Sequence, residues 1–122
     1  MDFDLRNSRP ICLQLSEQLS RRILTGTYPP GSRFPTVRDL AAAAGVNPNT
    51  MQRALAQLET DGLVTTNRTA GRTVTEDTAV LDALRKRLAG EATERYFSDM
   101  KELGYSRGEA ADMAAAEKER KE

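Results

Sequence analysis

The sequence predicts a mainly α-helical fold with one small β-hairpin, divided into a basic front part and a helical rear part. Three observations carry this reading. Apolar residues recur at helical spacing over most of the chain. Glycines and prolines punctuate that pattern at the ends of short segments. After Gly62 the texture changes to β-branched residues for about a dozen positions.

Taking the elements in order, Pro10 suits the first turn of a helix, where its missing N–H costs nothing, and Ser8 stands before it as a cap. Ile11, Leu15, Leu19 and Ile23 then recur every fourth residue as one apolar stripe, and Gly26 can stop the helix in a left-handed conformation. Tyr28-Pro29-Pro30-Gly31 makes a rigid turn, and residues 32–35 leave room for a stub of extended chain. Thr36 and Asp39 form a T-x-x-D start signal that resembles a capping box before a short apolar helix ending at Gly45. Asn47 as N-cap and Pro48 as first residue open a third helix on Met51, Leu55 and Leu58, closed by Gly62.

Two short helices joined by Ala44-Gly45-Val46-Asn47 are what a helix-turn-helix needs, because the tight turn demands a residue tolerant of positive φ. Leu63-Val64-Thr65-Thr66 and Arg72-Thr73-Val74-Thr75 read as the strands of a hairpin, with Asn67-Arg68-Thr69-Ala70-Gly71 at its tip. Helix, helix, helix, hairpin is the winged helix-turn-helix order. In the rear part Leu81, Leu84, Leu88, Tyr96, Met100 and Leu103 keep helical spacing, with Gly90 a weak point. Gly104 ends that helix, and Ser106-Arg107-Gly108-Glu109 is an S-x-x-E capping box that opens a last one. Its charged end, residues 117–122, is expected to fray. The expected organisation is a winged helix-turn-helix domain over residues 9–77 and a two-helix tail over residues 78–122.

Composition narrows the function. The chain has 122 residues, with one cysteine and no histidine. That excludes an internal disulfide, a His/Cys zinc site and a Ser-His-Asp triad, so neither an enzyme nor a cofactor or metal is expected. The longest apolar runs, such as residues 40–44, fall far short of the roughly 18 residues of a spanning helix, so no membrane partner is expected. The acidic opening Met1-Asp2-Phe3-Asp4 does not read as a signal peptide, and a cytoplasmic protein is expected. The net charge of zero hides an asymmetry. Through Thr75 there are nine basic residues, all arginine, against six acids; from Glu76 on there are nine against twelve. An arginine-only front suggests a polyanionic partner.

With Met51, Leu55 and Leu58 facing the core, the opposite face of the third helix carries Asn49, Gln52, Arg53, Ala56 and Thr60. A recognition helix reads bases from its N-terminal end, where arginine can fork onto guanine and Asn or Gln can pair with adenine. Thr36 and Arg38 begin the second helix, whose N-terminus can point at a phosphate. Arg68 and Arg72 flank the hairpin tip and can reach a minor groove or phosphates. Arg21 and Arg22 face solvent or phosphate. Cys12 reads as a small hydrophobe, the rear carboxylates as an ion-paired surface, and Tyr96, Phe97 and Tyr105 as packing residues.

Several segments together resemble the GntR family of bacterial transcription regulators. They are Pro10-Ile11-Cys12-Leu13-Gln14-Leu15, the run Pro30-Gly31-Ser32-Arg33-Phe34-Pro35-Thr36-Val37-Arg38-Asp39-Leu40-Ala41, and Gly45-Val46-Asn47-Pro48-Asn49-Thr50. Asn-Pro-Asn-Thr with a short helical tail is similar to the YtrA-type branch in particular. The resemblance implies DNA contacts from Arg38, Asn47, Asn49, Thr50, Gln52, Arg53 and the wing at Gly71. One departure stands out: family wings commonly carry two glycines and then an aromatic residue, whereas here only Gly71 remains and Thr73 replaces the aromatic. The resulting expectation is a repressor that binds a pseudo-palindromic double-stranded DNA operator as a homodimer and is released by a small-molecule effector. Leu81, Leu84, Leu88, Tyr96, Met100 and Leu103 are the expected dimerisation residues. The alternative is a winged-helix protein-interaction module; arginine in the first turns of the third helix favours DNA.

Overall fold

The computed structural model describes residues 3–120, and the chain divides into two compact units between Asp82 and Ala83. The first unit holds α1 (Ile11–Leu24), α2 (Val37–Ala44), α3 (Pro48–Thr60) and the antiparallel strands β1 (Val64–Asn67) and β2 (Gly71–Val74). α4 (Thr78–Glu102) runs from the first unit into the second, which also contains α5 (Arg107–Ala116).

α1 and α2 both pack on α3. The stripe read from α1 lands in the core through Leu15, Leu19 and Ile23, which are buried along with Leu40 and Ala41 of α2 and Met51, Ala54, Leu55 and Leu58 of α3. Leu63, Val64 and Val74 extend this core under the hairpin, and Phe34 seals it with its ring edge-on to Tyr28 at 4.8 Å. Each such side chain contributes about 1.5–3 kcal/mol on burial, so α3 is held rigidly from behind while its other face stays in water.

The helix ends follow the local chemistry. Thr36 Oγ1 accepts from the Asp39 N–H at 3.1 Å, and Asn47 Oδ1 accepts from the Asn49 N–H at 2.8 Å with Pro48 in the first turn. Between them Gly45 has φ +68°, and Val46 N–H donates back to Ala41 O at 3.1 Å, which turns the chain from α2 into α3. A side chain here would meet left-handed strain of about 1–2 kcal/mol, which is why the turn uses glycine. Ser106 and Glu109 form the full reciprocal capping box of α5. α4 passes through Gly90 without interruption.

The start of α1 differs from expectation. Pro10 occupies the N-cap itself and Ser8 is not the cap, because the first helical residue is Ile11. The preceding segment is instead strapped along the helix by two glutamines one turn apart. Gln14 accepts from the Arg6 N–H at 2.8 Å and donates to Arg6 O and Arg9 O, while Gln18 accepts from the Asp4 N–H and donates to Asp4 O. Each primary amide can do both at once, so the pair pins extended backbone to a helix side as a strand edge would.

The hairpin strands are offset by one residue from the expected ones, with Val64 opposite Val74 and Asn67 opposite Gly71. Pairing sets the register: Val64 and Val74 lie on the buried face, and Leu63, though strand-like, is spent closing α3 through its N–H to Leu58 O. In the second unit, Tyr96 hydroxyl donates to Ala110 O at 2.6 Å, and Arg107 pairs with Glu94 while its guanidinium covers the Phe97 ring at 4.1 Å. Residues 117–119 form a 3-10 turn; Lys121 and Glu122, the last of the segment expected to fray, lie outside the described residues, as do Met1 and Asp2.

Candidate nucleic-acid interface

Asn47, Asn49, Gln52 and Arg53 are all exposed, and Thr50 is half-buried at the edge of the same face of α3. Pro48 and the Asn47 cap fix the first turn of that helix, and the core residues behind it fix its rotation. No acidic residue lies in this first turn, so the partial positive charge of the helix start is unopposed. Thr36 and Arg38 are exposed at the start of α2, and Arg38 stands one residue before Asp39. Among the described residues, Arg38, Arg53 and Arg68 form no ion pair, whereas Arg6, Arg9 and Arg72 do. Unpaired arginines on a fixed surface are free to take phosphate or base edges. Arg21 is exposed on α1, and Arg22 is committed elsewhere: it donates to the Tyr28 hydroxyl and lies 4.0 Å over the Phe3 ring.

The wing is closed without the missing first glycine. Asn67 Oδ1 accepts from the Thr69 N–H, the Thr69 hydroxyl and the Ala70 N–H, at 2.9, 2.9 and 3.2 Å. One side-chain oxygen therefore holds the tip, and Gly71, at φ +73°, is the only tip residue that leaves the ordinary backbone regions. Arg68 is exposed at this tip and Gly71 half-buried.

Arg72 is placed differently from Arg68. Its Nε donates to Glu59 Oε1 at 2.6 Å, and the Thr66 hydroxyl donates to the same oxygen at 2.7 Å. Arg72 thus ties β2 to the C-terminal half of α3, with its side chain 20% exposed. These bonds, Thr66 first and Arg72 second, hold the Glu59 carboxyl below the usual carboxylate range. A lowered carboxyl stabilises the fold at neutral pH, and this contribution disappears as pH falls through the lowered value. Sequence patterning did not mark Glu59, because its partners are seven and thirteen residues away across the sheet.

In the rear helices, Leu84 is already buried at 5% exposure and Tyr96 is turned onto Ala110. Leu81, Leu88 and Met100 are half-buried, while Leu103 is 72% exposed. Met113 and Tyr105, which lie outside the expected dimerisation set, are exposed as well. No helix among the described residues is long and apolar enough to cross a membrane.

A three-helix core with one polar helix face left open beside a β-wing defines a winged helix-turn-helix protein. Residues 12–74 match the family described as bacterial regulatory proteins, gntR family. The chain is 37% identical to the uncharacterized HTH-type transcriptional regulator YhcF of Bacillus subtilis, over 89% of this chain and 90% of that one. It is 36% identical to the HTH-type transcriptional repressor YtrA of the same organism, over 63% of this chain and 59% of that one. A solved GntR family transcriptional regulator from Listeria monocytogenes superposes with a TM-score of 0.81 at 34% identity, covering 92% of this chain and 98% of that one. The chain belongs to the GntR family: it is a DNA-binding transcriptional regulator and not an enzyme, with YtrA-type proteins among its relatives.

Proposed function

We propose that the chain is a cytoplasmic repressor that binds a pseudo-palindromic operator as a homodimer, one α3 per half-site. The observation that carries this is the exposed, acid-free N-terminal face of α3 beside a wing whose tip arginine is unpaired. In this reading Asn49, Gln52 and Arg53 read base edges from the major groove, Thr36, Arg38, Asn47 and Thr50 hold the flanking backbone, and Arg68 with Gly71 meets the adjacent minor groove. Arg72 acts one step back, by holding the wing through Glu59. The repressor role follows the printed role of YtrA. Exposed Leu103, Met113 and Tyr105 support a partner for the rear helices. A groove of about 470 Å³ lined by Phe97, Lys101, Tyr105 and Arg107 offers room for a small-molecule effector.

Binding should be dominated by phosphate neutralisation, so log affinity for a duplex should fall linearly and steeply with log salt. Anisotropy titrations from low to physiological salt check this. A flat response would contradict DNA binding through an arginine surface.

A further inference from the structure

We infer that Arg33 is an additional DNA-contacting residue, which with Arg68 forms a two-arginine phosphate grip on the wing. The inference rests on the reading above, in which the wing lies against DNA.

Arg33 lies outside the helices and outside the hairpin, in the stub between the Pro29-Pro30 turn and α2. The stub is nevertheless part of the wing. Phe34 N–H donates to Arg72 O at 2.8 Å, Val74 N–H donates to Ser32 O at 2.9 Å, and Arg33 bridges Thr73 in antiparallel fashion. Residues 32–34 therefore add a third edge to the two-stranded hairpin. The neighbouring Phe34 is buried at 3% exposure, which anchors the backbone on which Arg33 stands.

The direction of the side chain is the telling part. A Cβ placed on Gly71 would stand 4.0 Å from Arg33 Nε, so the arginine stem runs along the wing to the glycine that ends its tip. Arg33 is exposed, and among the described residues it has no acidic partner. Arg72, the other arginine near this strand, is held by Glu59. Arg33 and Arg68 are thus the two cations the wing leaves available. An arginine on fixed backbone, presented beside a glycine, suits a backbone phosphate, which a planar guanidinium can take through two parallel bonds. Its place on the wing's edge strand, outside the recognition helix, argues for phosphate over bases.

The test titrates the full chain and its variants against two labelled duplexes: one selected by the wild-type chain from a random pool, and one of the same composition in scrambled order. Arg33→Ala should weaken binding to both by the same factor, roughly 3–10-fold, and lower the slope of log affinity against log salt by about one per bound chain. Arg33→Gln, which keeps the stem along Gly71, should give the same loss, and Arg33→Lys should retain most of the affinity. Wild-type affinity and slope in both neutral variants, with Arg53→Ala still losing its preference for the selected duplex, would overturn the role of Arg33 and leave the DNA reading intact. A loss confined to the selected duplex would also overturn it, since a phosphate contact is indifferent to sequence. If the wild-type chain bound neither duplex, the DNA reading itself would fall.

Discussion

Ending the chain after Asp82 is expected to yield a monomer that binds a two-half-site duplex about 10²–10⁴-fold more weakly than the full chain. The cut follows the structure: the first unit extends to Asp82, and Val80 Cγ1 lies 3.8 Å from the position of a Cβ on Gly62, so an earlier end would strip packing from the wing domain. What remains keeps α3, the wing and the whole core of the first unit. What is lost is a segment in which Leu84 and Ala110 are the buried apolar residues, while Leu103, Tyr105 and Met113 face outward. So small a core is not self-sufficient, and an apolar stripe of this kind calls for a partner, which in the proposed reading is a second copy. Joining two half-site contacts raises apparent affinity without any new base contact, and this accounts for the size of the effect. Sedimentation gives the assembly state and anisotropy the affinity. A truncated chain that remains dimeric, or binds as tightly as the full one, would show that the rear helices have another role.

Arg53→Ala is expected to cost about 1–3 kcal/mol on a selected duplex and to relax sequence preference, with folding unchanged. Arg53 is exposed on the face opposite Met51, Leu55 and Leu58, forms no ion pair among the described residues, and follows Gln52 on a helix whose rotation the core fixes. Removing it deletes a forked donor without opening a cavity. Arg21→Ala is the control: Arg21 is exposed on α1, so its loss should be smaller and equal on selected and random DNA. Equal losses for both variants on both duplexes would remove Arg53 from the base-reading set.

The parts of this molecule that are local in sequence were legible in it. Thr36, Asn47 and Ser106 cap the helices they were expected to cap, because an N-cap bond spans two or three residues and its chemistry is written in one side chain. Gly26, Gly45, Gly62 and Gly104 all take positive φ at helix ends for the same reason. The core stripe of α1 and the exposed face of α3 followed from periodicity.

What escaped is tertiary. Ser8 does not cap α1, because the strap built by Gln14 and Gln18 sets the chain's approach and moves the start to Ile11. The strand bounds moved by one, β1 later and β2 earlier, because Leu63 is spent closing α3, while Val64 stays opposite Val74 on the buried face. Arg72 reads as a wing cation in sequence, yet a glutamate thirteen residues earlier holds it. Arg33 lies in the short extended stub read at residues 32–35, and only the bridge to Thr73 brings that stub into the wing. The missing wing glycine is offset by Asn67, whose carbonyl replaces backbone freedom with three accepted hydrogen bonds.

The most direct test of the central claim is selection of duplexes from a random pool by the full-length chain, followed by sequencing of the bound fraction. If two copies each place α3 in a major groove, the enriched sequences should contain an inverted repeat whose half-sites are centred about one helical turn apart, roughly 34 Å, or a multiple of it. Recovery of a pool no different from the input, or of a single half-site with no symmetric mate, would contradict a dimer that reads DNA through Asn49, Gln52 and Arg53.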